Sequence, residues 1–189
     1  TYQAFCLAAA NHEMDNVIVV DTLSIAGPVK DIAMQAGIMA KNNASKDEIL
    51  AMAQSVINMT KSYLFPDTLD QLKRGGRVSP TVATLSSLLK IKPLLMLSNA
   101  GKTIEKEATA RTDAKIFDMI VNGFVEDGIK VGVNKFHVLH CEGIEIAERF
   151  IEVANKAFEG IEIEISELPA VLAAHAGIKS IAVQSSLVL

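Results

Sequence analysis

Tryptophan is absent from this chain, and aromatic residues of every kind make up only 5% of it. The interior must therefore be built from aliphatic side chains, which a 50% apolar composition over 189 residues supplies. Cysteine is nearly absent as well. Cys6 and Cys141 are too few and too far apart for a disulfide framework, which points to a reducing, cytoplasmic setting. No run of about 18 uninterrupted apolar residues occurs, so no membrane-spanning helix is expected. No basic stretch leads into an apolar one at the start, so no export signal is expected. The glycine loops that cradle nucleotides, G-x-x-x-x-G-K-[ST] and G-x-G-x-x-G, are both missing. His137 and His140 in FHVLH stand three apart, which on a strand turns them to opposite faces. No other set of Cys, His and carboxylates has ligand spacing, and no metal site is expected.

Acid is lacking from one long stretch. From Gln71 to Ile104 there is no Asp or Glu, while Lys73, Arg74, Arg77, Lys90, Lys92 and Lys102 give that window a charge of +6. The whole chain is −4, so the remainder carries −10. A negative net charge argues against non-specific nucleic-acid binding. The local excess can focus an anion, or it can be a solvated basic face.

What is present reads as alternating helices and strands. Residues 2–13 have helical patterning, but no capping residue precedes them and no Met opens the chain; a helix that starts so looks cut, and residues upstream are expected. VIVV, ending in Asp21-Thr22, reads as a buried strand. GPVKDIAMQAGIMAKNN reads as a helix with Pro28 in its first turn, and SKDEILAMAQSVINMTK opens with the Ser45–Glu48 spacing of a capping box. Further on, SYLFP is a predicted strand, DTLDQLKR a short helix capped by Asp67, and SPTVATLSSLLK a helix capped by Ser79. IKPLLMLS and KTIEKEATA are predicted to form a hairpin through Asn99-Ala100-Gly101. A helix over TDAKIFDMIVNGFVED, a strand NKFHVLHC, a helix EGIEIAERFIEVANKAF and an alternating strand IEIEISEL follow. PAVLAAHAGIKSIAVQSS closes the chain as a short helix, a glycine loop and a last strand. The class is α/β, with sheets covered by helices.

The stretch LKRGGRVSP concentrates the candidate chemistry. Gly75-Gly76 permits a tight turn and close approach of a ligand. Arg77 stands just before the helix start at Ser79, where free N–H groups and a guanidinium could bind a carboxylate or phosphate together. A surface turn paired with acidic residues elsewhere is the plainer alternative. Arg111 follows the second hairpin strand ahead of another helix start, and could meet the same anion or simply lie on the surface. His175, in AAHAGIKS, stands beside a glycine at a helix end, a position as often structural as functional.

Taken together, TYQ at 1–3, VIVVDTLS, DTLDQLKRGGRVS followed by LLKIKPLL, Arg111, and HAGIKSIAV resemble the DegV family of bacterial fatty-acid-binding proteins. Ile178-Lys179 departs from the family's usual Pro-Gly. The resemblance implies a two-domain α/β protein with its first domain incomplete here: residues 1–60 as the remnant of the first domain, and residues 61–189 as a second domain with the RGGR loop and the C-terminal His loop. It implies a fatty acyl chain in a buried tunnel. The carboxylate would be held near Arg77, Arg111 and His175, with Gly75, Gly76 and Thr1 beside it. No cofactor and no catalytic residue is implied; the bound long-chain fatty acid is the ligand, and a separate fatty acid kinase acts on it. Bare strand edges and apolar helix faces in residues 1–60 would favour self-association. Two other readings stay open. The fold also looks like the substrate subunit of dihydroxyacetone kinases, where His175 would bond a small carbonyl compound. Or the chain is a truncated domain with no ligand.

Overall fold

The computed structural model describes residues 1–76, 79, 82, 91–97 and 103–189. Three helices come first: α1 (Tyr2–Asn11), α2 (Gly27–Lys41) and α3 (Lys46–Met59). Each boundary has a local cause. Pro28 occupies the first turn of α2, where its missing N–H is no loss, and Asn42 ends the helix. At α3 the Ser45 hydroxyl accepts from the Glu48 N–H while the Glu48 carboxylate accepts from the Ser45 N–H at 2.7 Å, so the capping box forms as expected. Among the described residues six strands and four further helices follow: β1 (Lys61–Phe65), α4 (Asp70–Arg74), β2 (Lys92–Leu97), β3 (Ile104–Ala110), α5 (Asp113–Glu126), β4 (Asn134–Cys141), α6 (Ile144–Ala157), β5 (Glu162–Glu167), α7 (Ala170–Ala176) and β6 (Ser180–Leu187). No described helix is long and apolar enough to cross a membrane.

The strands form one sheet in the order β3-β2-β1-β6-β4-β5. Every pairing is antiparallel except β4 with β5. That parallel pair needs a crossover, and α6 supplies it. Alternate side chains leave the sheet on opposite faces. Tyr63, Phe65, Leu94, Phe136, Val138, Ile181 and Val183 leave on one face. They pack against Ile116, Phe117, Ile120 and Phe124 of α5 and Ala147, Phe150 and Ala154 of α6. The Phe124 and Phe136 rings stack at 4.7 Å, and Phe117 meets Phe150 edge-on at 5.7 Å. On the other face two smaller clusters form. Leu69 and Leu72 pack with Leu95, and Leu139 packs with Leu168 and Ala176; Leu64 touches both groups.

Two expectations are corrected. The VIVV segment is not a strand: residues 17–20 carry no ladder, and Val17, Ile18 and Val20 are exposed. A strand exists through its neighbours' hydrogen bonds, and all six strands pair with one another within residues 61–187. Asp67 does not cap the helix after β1. That helix begins at Asp70 with Leu69 at its N-cap and no side-chain cap bond, because Leu69 is instead drawn into the core with Leu72. The expected turn at residues 99–101 and most of the helix expected at 79–90 lie outside the described residues, although the Ser79 hydroxyl does accept from the Val82 N–H at 3.4 Å.

Candidate functional site

The less crowded face of the sheet holds a cavity. Its volume is about 80 Å³, smaller than the usual small-ligand pocket, and it opens to solvent on one side. Leu64 forms its floor, with Ile25 ahead of α2, Leu72 of α4, Ile104 of β3 and Leu172 and His175 of α7 around it. The lining is almost wholly carbon. Ser62 and Gln184 also reach its wall, but both are committed: the Gln184 amide donates to Ser62 Oγ at 2.9 Å. His175 is half-buried and makes no hydrogen bond to any described residue.

His175 and the RGG turn meet at the cavity edge. A Cβ on Gly75 would lie 2.7 Å from His175 Nδ1, a distance real Cβ atoms do not show, so only glycine allows this approach. Gly76 follows with φ 61°, and Gly177, one residue past α7, has φ 84° and sits against Gln71 of α4. The two glycine loops thus face each other across α4 and α7. In the HAGIKS loop Lys179 takes φ 57°, the left-handed region that glycine fills more readily. Neither Arg111 nor Thr1 lines the cavity. Arg111 is exposed, seven residues beyond Ile104, which is roughly 20 Å along the strand. Thr1 is exposed at the start of α1. Arg77 lies outside the described residues.

Sequence reading missed a second polar group on the same face. Ser62, Gln184, His137 and Glu164 stand side by side across β1, β6, β4 and β5, one row of the sheet. The entrance of α2 is seated on this row. Asp31 Oδ2 lies 2.7 Å from His137 Nε2, and Lys135 Nζ donates to Asp31 Oδ1 at 2.8 Å. Glu164 lies 3.5 Å from His137 Nδ1 and pairs with Lys30. Burial pushes the Asp31 carboxyl up, but the hydrogen bonds from His137 and Lys135 outweigh it and hold the group at about 2. Asp31, His137 and Glu164 each bring one ligand-type atom within 4.8 Å of the others. The two carboxylates, however, face different ring nitrogens and already carry a lysine each. The arrangement is an ion-pair network joining α2 to the sheet rather than a coordination shell. His137 was visible in the sequence; its partners were not, because strand register decides them.

The family described as "uncharacterised protein, DegV family" matches residues 1–187. The chain belongs to the DegV family. A DegV domain-containing protein of Clostridium perfringens is 30% identical over 168 residues, covering 89% of this chain. The chain spans 57% of that relative's own length. Among solved structures, DegV from Bacillus subtilis, described as a fatty acid binding protein, is 28% identical with a TM-score of 0.76, covering 96% of this chain and 64% of that one. The Streptococcus pneumoniae fatty acid kinase (Fak) B3 protein, loaded with linoleic acid, shares the fold at 19% identity and a TM-score of 0.82, over 98% of this chain and 65% of that one.

Proposed function

We propose that this DegV chain holds a long-chain fatty acid in the cytoplasm and presents its carboxylate to a partner fatty acid kinase. The observation that carries the reading is the cavity: an almost wholly carbon lining with an uncommitted His175 and a glycine turn at one edge. The acyl chain lies over Leu64 among the aliphatic side chains. Each methylene removed from water contributes about 0.8 kcal/mol, so a long chain gains on the order of 10 kcal/mol before ordering costs. The carboxylate lies toward Gly75, Gly76 and His175, with Arg77 as its guanidinium partner, since Arg77 follows Gly76 directly in the sequence. The chain supplies binding and orientation. The phosphoryl-transfer chemistry belongs to the kinase and ATP. A small polar ketone would leave this lining in contact with little but water, which disfavours the dihydroxyacetone reading.

Mass spectrometry of the denatured protein and uptake of labelled oleate test the proposal. Co-purified or captured fatty acid is expected, weakened by His175→Ala and more by Arg77→Ala than by Arg74→Ala. A chain that neither carries nor takes up fatty acid would overturn it. Self-association through residues 1–60 is part of the same proposal. Phe5, Leu7, Ile18, Met34 and Ile38 are each more than half exposed, and a second chain could cover them. Light scattering should give a mass above the monomer's 20.3 kDa; a strictly monomeric chain at micromolar concentration would refute this part.

A further inference from the structure

One wall of the cavity is not part of the sheet or of α4 and α7. It is the segment ahead of α2, where Ile25 and Ala26 line the free space. This segment is held in an unusual way. Ala26 has φ 56° and ψ −117°, a conformation that costs a residue with a Cβ on the order of 1–3 kcal/mol. Such strain persists only where the surroundings impose it. Here a single side chain imposes it from both sides of Ala26. The Gln184 amide donates through Nε2 to the Ile25 carbonyl at 3.0 Å and accepts through Oε1 from the Gly27 N–H at 3.1 Å. Ser62 Oγ accepts the amide's other N–H at 2.9 Å, which fixes which way the amide points. Gly27 itself lies flat on the His137 ring, where a Cβ would come within 2.3 Å of Cγ. Gln184 is 2% exposed, so these bonds are not shared with water.

We infer that Gln184 is a positioning residue: it clamps residues 25–27 as a detachable wall of the acyl cavity and so sets how long a bound fatty acid is retained. The inference rests on the fatty-acid reading above and goes beyond it. Because backbone strain at Ala26 opposes the clamped state and two side-chain hydrogen bonds oppose its release, the wall stands close to balance. Ligand can then enter and leave by local opening of this segment, without unfolding of the sheet. The ion pairs of Asp31, one turn into α2, keep the helix docked while its entrance opens.

The test is the Gln184→Met substitution, which keeps side-chain length and volume but removes all three bonds. Release of cis-parinaric acid into excess oleate is followed by stopped-flow fluorescence, and exchange of the Gly27 amide by mass spectrometry. We expect both to accelerate about ten-fold, the equivalent of one to two net hydrogen bonds, while exchange in β4 and β6 stays slow. Should Gln184→Met fail to fold, Ser62→Ala, which frees only the amide's orientation, is expected to act in the same direction by about two-fold. Unchanged release from a variant whose Gly27 exchange has risen would overturn the inference alone. So would unchanged Gly27 exchange. A wild-type chain that binds no cis-parinaric acid would overturn the fatty-acid reading and this inference with it.

Discussion

Gly75 is where the basic turn and the histidine helix touch, and Gly75→Ala is the sharpest probe of that contact. The glycine has φ −76° and ψ −7°, an ordinary right-handed conformation, so an alanine there meets no backbone penalty. Its whole cost is steric. The new Cβ would stand 2.7 Å from His175 Nδ1, 3.2 Å from Cε1 and 3.3 Å from the Gln71 carbonyl oxygen. The carbonyl belongs to helical backbone and cannot give, so the imidazole must move by several tenths of an ångström. Overpacking of this kind costs about 1–3 kcal/mol. Reduced freedom of the unfolded chain returns about 0.4–1 kcal/mol. The net loss should be about 1 kcal/mol, or roughly 2–4 °C in Tm for a chain of this size. The decisive measurement is a double-mutant cycle with His175→Ala, using urea midpoints at a common slope. Without the ring, Gly75→Ala should become neutral or slightly stabilising, giving a coupling of about 1–2 kcal/mol. Fatty-acid affinity should fall in both single variants and fall little further in the double. Stability effects that simply add, within about 0.5 kcal/mol, would show that Gly75 and His175 are not in contact, and the cavity edge would have to be redrawn.

Other consequences are as concrete. The Asp31 carboxyl is held at about 2 against an ordinary 3.8, so its ionised form stabilises the fold above pH 4, and that contribution, about 2 kcal/mol, is lost as pH falls from about 4 to about 2. Asp31→Asn should flatten that part of the acid-unfolding curve and, by removing the carboxylate from Lys135 and leaving His137 with Glu164 alone, cost about 1–3 kcal/mol at neutral pH; an unaltered acid limb would refute the network. Gly27→Ala, whose Cβ would fall 2.3 Å from His137 Cγ, should cost at least 3 kcal/mol in urea denaturation, at or beyond the usual upper end of overpacking, and a loss below about 1 kcal/mol would mean that α2 is not seated on the ring. Ser45→Ala should cost about 1 kcal/mol through the lost cap of α3 while leaving ligand binding untouched.

Much of this architecture was legible from local pattern alone. Ser45 and Glu48 announce their capping box, and the apolar positions of α5, Ile116, Phe117, Ile120 and Phe124, are the ones that meet the sheet. The hairpin of β2 and β3 and the short helix bearing His175 are also where their residues suggested. Failures arose where a property belongs to a pair. An apolar run such as VIVV states that a strand could form, but the hydrogen bonds that would make it one belong to a neighbour no single segment encodes. The row Ser62–Gln184–His137–Glu164 joins four strands whose order, β1-β6-β4-β5, is unrelated to their order in the chain. Gln184 in AVQSS reads locally as one polar residue in a strand. Only the register with Ser62 and His137 turns it into the clamp of a wall whose Gly27 stands 157 residues away in sequence.

The scarcity of aromatic residues, read first as a bare compositional fact, acquires a meaning from where the few are placed. Of seven phenylalanines, six lie in the single core formed with α5 and α6: Phe65, Phe117, Phe124, Phe136, Phe150 and Phe158. Their rings interlock edge-on and stacked across that layer. The opposite face receives none of them. It is left to Leu64, Leu72, Leu139, Leu168 and small residues such as Ala176 and Ala182, held off the sheet by a helix entrance and two short helices. Among the described residues, branched and small side chains on short elements cover this face, and a cavity remains over Leu64. A uniform distribution of the same residues would have produced two half-packed layers and no defined pocket. Segregation concentrates the aromatic packing in one layer and leaves the other with aliphatic side chains around a cavity.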